Sequence, residues 1–143
     1  MIAEKLKISF DIERIRDYFY THVKPLEPVR ASETFGGWSI LSSNGDYRDG
    51  FETGKDYVYF DEERNEYVLD YQKAHRETGF VWPEEHVHPT QVCTGYIAEV
   101  IQTIHRAGLK PYRARWTNLH PNVCMPWHRD ALQDAYAVRL HIP

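Results

Sequence analysis

Two residues near the C-terminal end are placed to hold a metal ion. In the run Pro126-Trp127-His128-Arg129-Asp130 an extended backbone points successive side chains to opposite faces, so His128 and Asp130 share one face and Arg129 turns away. An imidazole beside a carboxylate suits a divalent cation; the plainer alternative is a surface histidine hydrogen-bonded to its neighbouring aspartate. Further on, Tyr136, Val138, Leu140 and Ile142 form one apolar face, with Arg139 and His141 on the other. The fork of an arginine matches the two oxygens of a carboxylate. Arg139 and His141 therefore read either as an anion site or as a solvated strand face with an ordinary ion pair.

Two other groups are candidates of lower specificity. Arg113, Arg115 and Thr117 alternate with Tyr112, Ala114 and Trp116, and either reach the same cavity or form salt bridges on a sheet surface. His86 and His88, beside Glu84 and Glu85, have metal-ligand residue types. The flanking Pro83 and Pro89 place them in an exposed loop that shapes a substrate entrance. Cys93 and Cys124 are the only cysteines, and neither lies in a CxxC pair. That excludes a disulfide scaffold and leaves Cys124 a small buried residue.

The elements that must position these residues are legible in part. Leu6, Ile8 and Phe10 alternate as a short strand, and Asp11 is placed to cap a helix through Ile12, Ile15, Phe19 and Val23, ended by Pro25 and Pro28. Phe35 to Leu41 predicts a strand in which Gly36-Gly37 marks a bulge or a close backbone approach. Residues 42–46 predict a turn and the stretch to Lys55 a mobile loop. Tyr57 to Phe60 and Glu66 to Tyr71 predict a hairpin around the turn at 61–65. Gln72 to Pro89 predicts an extended, irregular path. Thr90 is placed to cap a helix through Val92, Tyr96, Ile97, Val100, Ile101 and Ile104, stopped at Gly108 and packed on one face of a sheet. Tyr112 to Asn118 predicts a further strand. Helices early and short strands with turns between them give an α+β class, in one domain spanning 1–143.

Composition narrows the function classes. The chain has 143 residues, 42% apolar and 27% charged, with aromatics at 14%. Such aromatic content is common around small-ligand pockets. A net charge of −4 without a basic cluster argues against nucleic acid. No segment approaches the roughly 20 apolar residues that cross a bilayer, and the N-terminus lacks the apolar core of a secretion signal. The expected setting is cytoplasmic, with no membrane partner; the oligomeric state is left open.

An imidazole and a carboxylate joined by a distant second histidine make the facial triad of non-haem Fe(II) oxygenases. The run from Leu119-His120-Pro121-Asn122 through Trp127-His128-Arg129-Asp130 to Arg139-Leu140-His141-Ile142-Pro143 resembles the aspartyl/asparaginyl β-hydroxylase family. The match covers Arg115 to Pro143, about a fifth of the chain, with looser similarity at Phe35-Gly36-Gly37-Trp38. The resemblance implies a double-stranded β-helix (jelly-roll, cupin-like) core with N-terminal and packing helices. It implies Fe(II) as cofactor and 2-oxoglutarate as cosubstrate, with His128 and Asp130 as metal ligands. Arg139 and His141 would contact a carboxylate of cosubstrate or substrate, and the Thr117 hydroxyl the 2-oxoglutarate tail. The implied reaction is hydroxylation of an amino acid, an amino-acid residue in a peptide or an amino-acid-derived small molecule. The family's second histidine ligand and its distal arginine lie beyond the RxH strand, where this sequence stops. The expectation is therefore a domain lacking its C-terminal strands, inactive as 143 residues and active in the full-length protein. Two other readings stand beside it: a non-catalytic jelly-roll module that binds a carboxylate ligand or a partner chain, and a cupin metalloenzyme of another reaction type.

Overall fold

A computed structural model describes residues 8–123 and residue 142. Within them, helices combine with short strands that all pair antiparallel. Asp11 opens the first helix, α1 (Ile12–Tyr18), as its sequence position predicts. The Asp11 carboxylate accepts the Arg14 backbone N–H at 3.2 Å, satisfying one of the free donors of the first turn. The helix widens into a π-turn over Phe19–Val23 before Pro25. Ile15, Tyr18 and Val23 are buried, and Phe10 packs against the same core. The strand expected through Leu6, Ile8 and Phe10 is not formed in its described part, since residues 8–10 have no strand partner. Leu6 lies outside the described residues.

The central strand follows two short connections. It is β2 (Phe35–Ser39), lying between β1 (Val29–Arg30) and a strand late in the chain, Arg115–Leu119, in the order first, second, last. Gly36 opposes Arg30, and Gly37 opposes both Val29 and Thr117. The glycine pair serves a close approach: a Cβ on Gly36 would run into the Val29 carbonyl oxygen, and one on Gly37 into that of Trp116. No bulge interrupts the pairing of Phe35–Ser39 with Arg115–Leu119. After Ser39 the chain continues into β3 (Leu41–Ser42).

The hairpin forms as expected, from β4 (Val58–Asp61) and β5 (Glu66–Leu69), with Asp61 accepting the N–H groups of Glu63 and Arg64 in its turn. The irregular path expected from Gln72 begins instead as a helix, α2 (Tyr71–Thr78). Asp70 caps it by accepting the Lys73 N–H at 3.0 Å, and Gly79 ends it at φ 72°. A short 3-10 turn at Pro83–Glu85 then leads to β6 (His88–Pro89), which pairs with β3.

The longest helix among the described residues, α3 (Gly95–Arg106), starts later than Thr90 predicts. Thr94 occupies its N-cap position and makes no side-chain cap hydrogen bond. Ile97, Val100 and Ile104 bury against Ile15, Tyr18, Val23, Trp38 and Val92. Three such side chains, at about 1.5–3 kcal/mol each, outweigh a missing cap of about 1 kcal/mol, so packing holds this helix. Trp38 lies on β2, so the helix packs on the sheet as expected. Gly108 ends the helical region at φ 85°, its N–H on the His105 carbonyl at 3.0 Å. The late strand is β7 (Arg115–Leu119).

Thr90 ties two segments together. Its hydroxyl donates to the Ser39 carbonyl at 2.7 Å and accepts the Val92 N–H at 3.3 Å, in a site only 5% exposed. Thr90→Val keeps the shape and removes both bonds, leaving buried backbone groups short of a partner. It is expected to lower stability by about 2 kcal/mol. Urea unfolding should show a lower midpoint at unchanged slope; an unchanged midpoint would mean that the Thr90 bonds contribute nothing.

Candidate functional site

The site residues that sequence points to divide sharply. Thr117 lies on β7, opposite Gly37, with its side chain exposed. His128, Asp130, Arg139, His141 and Cys124 lie outside the described residues. Alternation puts Arg115, Thr117 and Leu119 on one face of β7, and Trp116 and Asn118 on the other. Trp116 packs against the core, tilted on Phe19 with ring centroids 5.0 Å apart. Two buried ring nitrogens, Trp116 Nε1 on the strand and His120 Nε2 just past its end, have no hydrogen-bond partner among the described residues.

Arg113 does not continue the alternation. It takes a positive φ of 48° ahead of β7, while its N–H donates to the His86 carbonyl at 2.8 Å. Arg113 and Arg115 nevertheless converge. The Arg113 Nε and the Arg115 guanidinium both donate to the Gly50 carbonyl, at 3.2 and 3.3 Å, and Arg113 also reaches the Glu52 carbonyl at 3.1 Å. Arg115 sits over the Phe51 ring, 5.2 Å from its centroid. These bonds fasten the loop over residues 43–54 onto the sheet.

The far side of that loop is fastened as well. The Ser39 N–H donates to the Tyr47 carbonyl at 2.8 Å, and the buried Ser39 hydroxyl donates to the Asp49 carbonyl. The Asp49 carboxylate accepts from the Ser43 N–H at 2.7 Å and from its hydroxyl at 2.6 Å. At the loop tip the Arg48 guanidinium grips Asp46 and holds its carboxyl below the usual aspartate range. A loop that its glycines mark as mobile is thus hydrogen-bonded along most of its length.

His86 departs most from its sequence reading. It is 3% exposed, beneath Gly50, whereas His88 is exposed on β6. The 3-10 turn after Trp82 folds residue 86 inward, its N–H on the Pro83 carbonyl at 3.1 Å. The ring Nδ1 lies 3.0 Å from the Trp82 carbonyl; a carbonyl can only accept, so Nδ1 carries the proton. Nε2 then faces Asp49, 4.0 Å from Oδ2. Gly50, at φ 95°, leaves room for this pair: a Cβ there would stand 3.0 Å from His86 Cδ2. His86 and His88 therefore form no metal pair. His86 with Asp49 is a buried imidazole–carboxylate contact that attracts when the ring is protonated. Sequence gave no signal for it, because the partners come from distant segments.

Among the described residues no three of His, Cys, Asp and Glu stand close enough to hold a metal ion. Burial pushes the Cys93 thiol up, keeping it protonated and a poor nucleophile. A shallow, open depression of about 290 Å³ lies between α1, its π-turn and α3, lined by Arg14, Asp17, Tyr18, Thr21, His22 and Tyr96. Its cation is engaged, for the Arg14 guanidinium stacks on Tyr96 at 3.8 Å and lies 3.8 Å from Glu99. No helix among the described residues is long and apolar enough to cross a membrane. No protein-family model matches the chain, and no curated protein or solved structure matches it significantly.

Proposed function

We propose that this protein is an Fe(II)- and 2-oxoglutarate-dependent dioxygenase that hydroxylates an amino acid, an amino-acid residue in a peptide or an amino-acid-derived small molecule. The antiparallel strands would belong to a jelly-roll core. The observation that carries the reading is the combined pattern His128-x-Asp130 and Arg139-x-His141 within the 29 residues from Arg115 to Pro143. Support comes from β7, the strand that opens this run and carries Thr117 outward on a regular antiparallel register.

The donor set fits the metal by its chemistry. An imidazole and a carboxylate are the ligand types that Fe(II) takes in open, facial sites. His120, at the head of the run, adds a buried imidazole nitrogen uncommitted to any described group. When bound, Fe(II) with 2-oxoglutarate and O₂ would supply the oxidation: one oxygen atom of O₂ would end in succinate, formed with release of CO₂, and the other in the hydroxyl group of the product. The chain's own part is to bind and orient. His128 and Asp130 would hold the metal, and the Arg139 fork would pair with a carboxylate through two parallel N–H donors, with His141 beside it. The Thr117 hydroxyl would donate to the cosubstrate tail.

Anaerobic calorimetric titration with Fe(II) tests the ligand assignment. Asp130→Ala is expected to weaken binding by about 100-fold, at or above the loss seen when a metal site loses a mere supporting partner. Equal affinity in Asp130→Ala and the parent would remove the metal site from this segment.

A further inference from the structure

The hairpin β4–β5 combines two properties, excess negative charge and exposed apolar side chains. Residues 55–70 contain Asp56, Asp61, Glu62, Glu63, Glu66 and Asp70 against Lys55 and Arg64, six acidic to two basic, a net −4. That equals the net charge of the whole chain, whose remaining residues balance at 15 acidic and 15 basic. Asp70 is spent on the α2 cap and Asp61 on its own turn and on Arg64. Asp56, Glu62, Glu63 and Glu66 stay exposed.

The ribbon also exposes its apolar side chains. Directly opposed residues share a face, so the pairs Val58–Leu69 and Phe60–Tyr67 make one face apolar throughout. Phe60 and Tyr67 meet edge to face with centroids 5.2 Å apart, and they are 47% and 77% exposed. Val58 on the same face is 45% exposed, and Tyr59 on the other face 52%. Among the described residues each strand pairs only with the other, which leaves an open edge on both sides. An isolated ribbon of this kind is marginal by itself, and an open apolar edge is a template for another strand. An edge protected against casual pairing commonly carries lysine; this one carries carboxylates beside aromatics.

We propose that the β4–β5 ribbon is a docking surface for an extended, basic segment of a partner protein. The partner strand adds to the ribbon edge by backbone hydrogen bonds and sets alternate apolar residues on Val58, Phe60 and Tyr67. Its lysines or arginines meet Asp56, Glu62, Glu63 and Glu66. Backbone pairing supplies affinity in such strand addition, and the side-chain pattern supplies selectivity. Like-charge repulsion between two copies of this acidic ribbon disfavours self-pairing, so the complementary occupant is a cationic chain.

The probe is a synthetic octapeptide of alternating Lys and Val, titrated into the full chain and followed by amide chemical shifts, with a Glu/Val octapeptide as its counterpart. Shifts confined to residues 56–69 are expected with the Lys/Val peptide and none with the Glu/Val peptide. Affinity should fall at least about tenfold on raising salt from about 0.05 to 0.5 M, as expected for screened exposed charges. The double change Phe60→Ser and Tyr67→Ser should weaken binding by about tenfold or more, as loss of anchoring aromatics does. The reversal Glu62→Lys, Glu63→Lys and Glu66→Lys lies on exposed positions, leaves the aromatics in place and should do the same. Shifts elsewhere on the chain, equal binding of both peptides, or no binding overturn the proposal. Self-association that depends on Tyr67 without response to the Lys/Val peptide overturns it in favour of a second copy.

Discussion

Gly37→Ala is expected to cost at least about 4 kcal/mol and to leave much of the protein unfolded at room temperature, given total stabilities of about 5–15 kcal/mol. The added methyl has nowhere to go. It would run into the carbonyl oxygen of Trp116, a backbone atom held in register by the pairing of β2 with β7. Side chains can swing aside from a new methyl, whereas a paired backbone can yield only by separating the strands. Relief would thus break the sheet at Trp38, whose indole N–H is fixed to the Leu26 carbonyl at 3.0 Å and whose ring meets Phe19 edge to face. Gly79→Ala is the matched control. Gly79 also has positive φ, 72°, but nothing lies within 4 Å of its added Cβ. That change should cost only the left-handed penalty of about 1–2 kcal/mol. Urea unfolding of both variants separates the cases. Equal losses would show that the close approach at Gly37 is not what the position demands.

What sequence made legible follows from how each element is specified. The helix at Ile12 and the hairpin at residues 58–69 are local: a capping aspartate with spaced apolar residues in one, two β-rich runs around Asp61 in the other. The long helix announced itself by its apolar stripe, but its start did not. Thr90 and Thr94 both precede the stripe, and Val92 keeps helical spacing while sitting in a turn. The helix at Tyr71–Thr78 was hidden because only Ala74 is buried in it; its other ring contacts run through the half-buried Tyr71, which stacks on His75 and Trp82 and meets the buried Phe80 edge-on. Asp70 and Gly79, a cap and a stop, were the available signals. Strands of two residues, as at Val29–Arg30 and His88–Pro89, are too short to show a period.

The same division runs through the site. Thr117 was placed by alternation alone, because its strand is regular. Arg113 was not, since a single left-handed residue resets the faces. The prolines around His86 argued for exposure, and the turn they build does the opposite, folding the ring under Gly50 against Asp49. A contact between segments so far apart has no local pattern to read. The proposed metal pair His128 and Asp130 is the reverse case, a local motif read from residue types and spacing alone.

The second large effect belongs to that pair. If His128 is a ligand of the proposed facial site, its loss would leave too few donors to hold Fe(II), so His128→Ala should abolish turnover while leaving the fold of residues 8–123 intact. The loss is expected to exceed about 100-fold, beyond what outer-shell changes produce. Arg139→Lys keeps a positive charge but loses the two-pronged match to a carboxylate, and should raise the 2-oxoglutarate requirement without removing turnover. The most direct measurement is succinate formation from 2-oxoglutarate by the full-length protein, with and without Fe(II). A dioxygenase gives succinate that requires Fe(II) and disappears in His128→Ala. Absent turnover, or turnover indifferent to iron and to His128, would contradict the proposed function.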